Sequence, residues 1–288
     1  MKLRYFYSLK FILLFQVVAS IPSAHAQYQD SVLKNKREID SILITEHLNQ
    51  LEGMPKTFYS KGYSIRAKAL QKLVYSCELF YEKHFIQNTF LENIYVLNKY
   101  DWEKPPFGVP YGLPSYFPEN KLEIISADKN ALARLSGKPD DPVKSDSIIS
   151  GYDYVGIHEL GHYFFETLNR IRTEKWFDEF LANYFLICYV YETKIDFDIK
   201  TFFMPEGNPL HKTIQDFNTF YEDVGPANYD WYQREFIQLG IKLYPRLKLT
   251  LIEKVIENFS PEGKHLDPLS LLKNLSPDIT KNWLMQMQ

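Results

Sequence analysis

An α+β fold, richer in helix than in sheet and organised as one integrated unit, is what this sequence predicts. Three observations carry it. Apolar residues recur at steps of three and four over several long stretches, the period of amphipathic helices. Only two short aliphatic runs, both in the N-terminal half, read as strands. The 288 residues are 45% apolar and 24% charged, enough for a sizeable core, with no internal repeat or low-complexity tract.

The elements follow in order. Residues 29 to about 51 read as helix, stopped by Gly53 and Pro55. A second helix runs from about Ser64 to Phe85, where Ala69, Leu70, Leu73, Val74, Cys77, Phe80 and Tyr81 mark its apolar positions. Asn93 to Asn98 reads as a strand. Pro105 to Pro118 is an irregular loop or an interrupted edge strand. Leu122 to Ile125 is a second strand, and residues 136 to 146 form a polar loop. Helix resumes near Ile148 and runs to about Asn169, then again from Lys175 to Tyr191. The remainder reads as helices at about Leu210–Tyr221, Tyr229–Tyr244 and Leu249–Asn258 and two short terminal pieces. The last opens at Ser276-Pro277-Asp278, a cap, a proline at the first position and an acid.

Composition narrows the function. A formal charge of −3 offers no basic excess to track a phosphate backbone, so nucleic acid is not an expected partner. Lys2, Arg4 and Lys10 precede an apolar run from Phe11 to Ala19, and small residues stand at Ala24 and Ala26. This pattern predicts a secretory signal over residues 1–26, cleaved after Ala26. The alternative, an uncleaved anchor, needs about 20 apolar residues, and this run is shorter. The expected product is a periplasmic or secreted protein with no stable membrane anchor. It forms a single domain over residues 27–288, with helices and strands to about 147 and helices beyond. Cys77 and Cys188 sit in apolar helical runs. They are either small buried hydrophobes or a disulfide in an oxidising compartment.

One constellation carries chemistry. Residues 158–162 read His-Glu-Leu-Gly-His. On a helix, residues i and i+4 are rotated by about 400° and lie one turn apart on one face, so His158 and His162 can grip one metal ion. Glu159, offset by about 100°, cannot easily join them but can reach a water on that ion. Metal-assisted hydrolysis needs this division: the metal acidifies water and the carboxylate takes its proton. The flanks Val155, Gly156, Ile157, Leu160, Gly161, Tyr163 and Phe164 carry no charge. That suits a helix at a cleft floor better than a solvated surface helix.

A hydrolytic zinc site takes three protein ligands and one open position. The next histidine, His211, is distant, and the nearby acids are Glu166, Glu174, Asp178 and Glu179. Glu166 continues the histidine face, but a straight helix cannot wrap three side chains around one ion. From His162 to Asn169 the helix advances about 10 Å, and from Thr173 to Glu179 a returning helix covers about 9 Å. Glu179 is therefore expected back at the level of His162. Asn183, one turn on, is placed to hydrogen-bond a liganding histidine.

His158-Glu159-x-x-His162 followed by Trp176-x-x-Glu179-x-x-Ala182-x-Tyr184 resembles the gluzincin metallopeptidases, closest to the aminopeptidase N-like branch. The likeness covers residues 155–184. Metzincins are excluded, because the positions of their glycine and third histidine hold Phe165 and Leu168. The resemblance implies a zincin-like domain, one Zn2+ held by His158, His162 and Glu179, Glu159 as general base, and a peptide or protein substrate. It also implies a tyrosine donor for the oxyanion, for which Tyr229 and Tyr232 are the candidates, with His211 a weaker one. No G-x-M-E-N segment precedes the motif, which leaves exo- and endopeptidase action open. The strand from Leu122 to Ile125 is the expected edge for pairing with an extended peptide. The alternatives are a zinc hydrolase acting on a non-peptide amide or ester, and a catalytically silent protein that keeps zinc for stability or binds peptide uncut.

Overall fold

The structure, a computed structural model of the chain, describes residues 48–85, 91–104, 109–117, 121–135, 149–202, 212–220, 226–260 and 263–287. The predicted signal at 1–26, the helix over 29–47, the loop at 136–146 and His211 lie outside the described residues. The chain divides into two compact units, residues 1–159 and 160–288.

The first unit is built on a five-stranded mixed sheet in the order β1-β2-β3-β5-β4. Its strands are β1 (Asn49–Leu51), β2 (Lys56–Tyr59), β3 (Asn93–Leu97), β4 (Ser115–Phe117) and β5 (Leu122–Ser126). The three central strands run parallel and the outer two antiparallel to their neighbours. Helix α1 (Ser64–Phe85) makes the crossover from β2 to β3, as two parallel strands require. Strand β3 is buried along both faces. On one face Tyr95 and Leu97 join Trp102, Phe117, Leu122 and Ile124 in a closed apolar cluster. Register puts Ile94 beside Glu123 and Val96 beside Ile125 on the other face. Two short helices, α2 (Lys99–Trp102) and α3 (Ala131–Leu135), follow β3 and β5.

Two expectations are corrected here. Residues 49–51 are not the end of a helix: they pair with β2, Asn49 opposite Tyr59 and Leu51 opposite Thr57. Backbone pairing to a neighbour overrides the local pattern there. Leu122–Ile125 is not an edge either. It pairs with β3 on one side and β4 on the other, so its hydrogen bonds are already committed and an added peptide strand has no place on it.

Helix α4 (Tyr154–His162), preceded by one 3-10 turn at Gly151–Asp153, carries the histidine motif. The unit boundary falls inside it, after Glu159. A π-helical segment, Tyr163–Leu168, continues it in the second unit. Then come α5 (Lys175–Thr193), α6 (Ile199–Phe202), α7 (Ile214–Phe220), α8 (Pro226–Leu247), α9 (Thr250–Phe259), α10 (Pro268–Leu275) and α11 (Pro277–Gln286). Helix α5 is buried almost throughout its length. Trp176 lies between Phe236 of α8, 6.3 Å between ring centres, and Trp283 of α11, at 5.8 Å. Gly240 of α8 lets that helix lie against α5, since a Cβ there would meet Ile187 at 2.5 Å.

Ser276 does stand at the N-cap of α11 with Pro277 behind it, but its side chain makes no cap bond. Its hydroxyl oxygen accepts from Arg246 instead. Both cysteines are buried free thiols. Among the described residues no helix is long and apolar enough to cross a membrane.

Candidate metal centre

The motif helix is fixed first at its N-terminus. Asp153 accepts from the backbone N–H of Ser150 at 2.6 Å. The same carboxylate takes a bidentate pair from Arg66 of α1, at 2.6 and 2.5 Å, with both side chains buried. Fork geometry of this kind offsets the cost of burying the two charges and sets where α4 starts. Within the next turn the helix needs glycine. A Cβ on Gly156 would stand 2.6 Å from Glu123 Oε1, so α4 lies directly on the sheet face that carries Glu123.

Glu123 is fully buried, and among the described residues neither of its carboxylate oxygens has a hydrogen-bond partner. Burial, and then the negative charges of Glu159 and Glu78, hold it well above the usual carboxylate range. Glu78 of α1 is similar: burial pushes it up to about 8 despite the hydrogen bond it accepts from Leu91 N–H.

After His162 the chain turns back in a compact device. The π-helical segment ends where Asn169 N–H and its side-chain amide both donate to the Phe164 carbonyl. Arg170 takes a left-handed conformation at φ 54°. Thr173 then donates through its hydroxyl and its N–H to Asp178, which opens α5. Burial raises Asp178 to about 6, opposed by the Thr173 bond. The returning helix passes very close to α4: a Cβ on Gly161 would sit 2.9 Å from the Ala182 Cα.

This approach brings Glu179 to the histidines. His162 Nε2 stands 3.8 Å from Glu179 Oε2, and His162 Nδ1 stands 3.6 Å from Glu166 Oε1. Each of His158, His162 and Glu179 offers one ligand atom, and all three atoms lie within 4.8 Å of one another. His158 and Glu179 are buried. Two imidazoles and one carboxylate form a donor set suited to zinc. Tetrahedral bonds of about 2.1 Å place ligand atoms about 3.4 Å apart, so small side-chain rotations bring these three onto one ion.

No family model, no curated protein and no solved structure matches this chain.

Helix α8 supplies the other side of Glu179. Tyr229 donates its hydroxyl to Glu179 Oε2 at 3.2 Å, and Gln233 donates its amide to the same oxygen at 2.6 Å. Asn183 donates to the Gln233 side-chain oxygen at 2.6 Å. Of the two tyrosines expected near the site, Tyr229 is therefore beside it. Tyr232 is not: it is wholly buried, packs on Phe217 and Phe236, and donates to the Thr213 carbonyl. Trp176, Glu179 and Asn183 share α5, but the Trp176 indole donates to Glu174. Glu166, set aside as a ligand, is found facing the second nitrogen of His162.

Sequence reasoning missed Gln233, Glu123 and Glu78. Gln233 had a signal, since it lies one turn after Tyr229 on a helix already expected. Glu123 had one too, as the single charge within an aliphatic strand.

Proposed function

We propose that the protein is an exported zinc-dependent metallopeptidase of gluzincin type that hydrolyses peptide bonds, with Glu159 as general base. One observation carries this reading: the two histidines of the motif and a glutamate from the returning helix offer three ligand atoms within 4.8 Å. His158, His162 and Glu179 would hold a single Zn2+. Bound there, zinc would polarise the scissile carbonyl and acidify the attacking water.

The remaining roles belong to side chains. Glu159 takes the proton of the water as its oxygen adds to the carbonyl carbon, then gives that proton to the leaving amine as the C–N bond breaks. Tyr229, whose hydroxyl lies 3.2 Å from Glu179 Oε2, is the residue at hand to donate to the oxyanion that forms.

The test is the purified chain with its metal counted. Wild type is expected to hold one zinc and to cut unfolded protein substrates. Glu159→Gln is expected to keep the zinc and lose at least about a hundredfold in turnover, while His158→Ala loses the metal. Full hydrolysis by Glu159→Gln would refute the base assignment, and a zinc-free wild type would refute the site.

A further inference from the structure

We infer that Gln233 is a positioning residue for Glu179: its side-chain amide, held in one orientation by Asn183, fixes the carboxylate in the pose that completes the metal-ligand set. The inference rests on the metal-site reading above and assigns the determinant of its affinity to helix α8.

Two pairs of residues, each one helical turn apart, face one another. Helix α5 presents Glu179 and Asn183, and helix α8 presents Tyr229 and Gln233. Three hydrogen bonds join them. Asn183 donates to Gln233 at 2.6 Å, and Gln233 and Tyr229 donate to one oxygen of Glu179 at 2.6 and 3.2 Å. A glutamine amide has one acceptor oxygen and a donor nitrogen that are sterically interchangeable. Here the two ends are not interchangeable chemically. A flipped Gln233 would set its oxygen against the Glu179 carboxylate, and that contact repels. The carboxylate thus requires the donor end of Gln233, and Asn183 holds it there by donating to the oxygen at the other end.

The surroundings make that choice consequential. Gln233 and Glu179 are buried and Asn183 is fully so, so water competes little for these bonds. Without Gln233, the carboxylate loses the shorter of the two α8 hydrogen bonds that hold it in the position facing His162. Groups that orient a metal ligand in this way are worth about 10–100-fold in metal affinity.

The experiment measures the zinc dissociation constant of the folded full chain by competition with a chromophoric chelator, alongside the melting temperature of the zinc-free protein. Gln233→Met keeps volume and removes both bonds, and is expected to weaken zinc binding about 10–100-fold. Asn183→Ala is expected to weaken it by a smaller factor. The double variant should bind no more weakly than Gln233→Met alone, because Asn183 acts through Gln233. A packing role would lower the melting temperature of the zinc-free protein and leave the zinc constant within twofold, and that result overturns the inference. So do losses that multiply in the double variant. If Gln233→Met does not fold, Asn183→Ala decides alone, and an unchanged zinc constant rejects the role. A wild type that binds no zinc refutes the metal site itself. Zinc bound equally by wild type and variants refutes only the part given to Gln233.

Discussion

Gly161 and Ala182 set the separation of the motif helix and the returning helix, since a Cβ on Gly161 would stand 2.9 Å from the Ala182 Cα and 3.1 Å from its carbonyl oxygen. Both obstructing atoms are backbone, so no side-chain rotation relieves the contact. Gly161→Ala gains up to about 1 kcal/mol in helix propensity. Overpacking against backbone costs about 1–3 kcal/mol and is expected to win. The variant should lose stability by about 1 kcal/mol and also bind zinc more weakly, because the shift moves Glu179 away from His162. Denaturant unfolding of the zinc-free protein and zinc competition read the two effects separately. An unchanged zinc constant in a folded Gly161→Ala protein contradicts the spacing argument.

Zinc bound only by the folded chain stabilises it by mass action. At a free concentration a hundredfold above the dissociation constant the gain is about 2.7 kcal/mol, or about 5–10 °C in melting temperature for a chain of this size. Chelation is expected to remove that gain and added zinc to restore it. His158→Ala should abolish the response and Glu159→Gln should retain it, since only the first belongs to the proposed ligand set. Equal zinc-dependent shifts in wild type and His158→Ala would exclude these residues as the site.

Glu78 gives the protein a pH dependence of definite sign. Its folded-state pKa is pushed from 4.5 to about 8, chiefly by burial. Between those values the folded chain holds a proton that the unfolded chain has released. The contribution of Glu78 to folding stability is therefore greatest below about pH 4.5 and falls as pH rises toward 8. Glu78→Gln removes the titration while keeping an acceptor for Leu91 N–H. At pH 7 it is expected to stabilise by about 3 kcal/mol, from 1.36 kcal/mol per pKa unit, with little effect at pH 4.5. Unfolding midpoints at pH 4.5, 6 and 7.5 test this. Parallel profiles for the two proteins would show that Glu78 is not neutral when folded.

The motif helix, the returning helix and strands β3 and β5 were legible because their signals are local. His158 and His162 share a face by helix geometry, and the rise per residue alone returns Glu179 to them. What stayed hidden depends on partners distant in sequence. Lys56–Tyr59 is a strand because β1 and β3 flank it, and four residues behind a proline carry little pattern of their own. Tyr163–Leu168 reads the same as α- or π-helix, since the distinction lies in the hydrogen bond from Asn169 to Phe164. Helix α8 begins at Pro226, not Tyr229, and proline at a first helical position was a readable signal. The hydroxyl partners of Tyr229 and Tyr232 are set by packing, which the sequence does not print.

That difference between the two tyrosines makes them a paired test. Tyr229 carries its hydroxyl beside Glu179, whereas Tyr232 spends its own on the Thr213 carbonyl within an aromatic core. Tyr229→Phe is expected to fold normally and lower turnover on a peptide substrate by about 10²–10³-fold, the usual effect of deleting one oxyanion donor. Because the donor acts on charge that develops during reaction, kcat should fall while KM changes little. Tyr232→Phe is expected to do the reverse. The Thr213 carbonyl keeps its bond from Phe217 N–H, so losing the one buried hydrogen bond costs about 0.5–1.5 kcal/mol of stability, with kcat within about twofold of wild type in the folded fraction. Steady-state kinetics and unfolding midpoints on the two variants separate the roles. Full turnover by Tyr229→Phe would remove Tyr229 from the chemistry and leave it as a support for Glu179 alone.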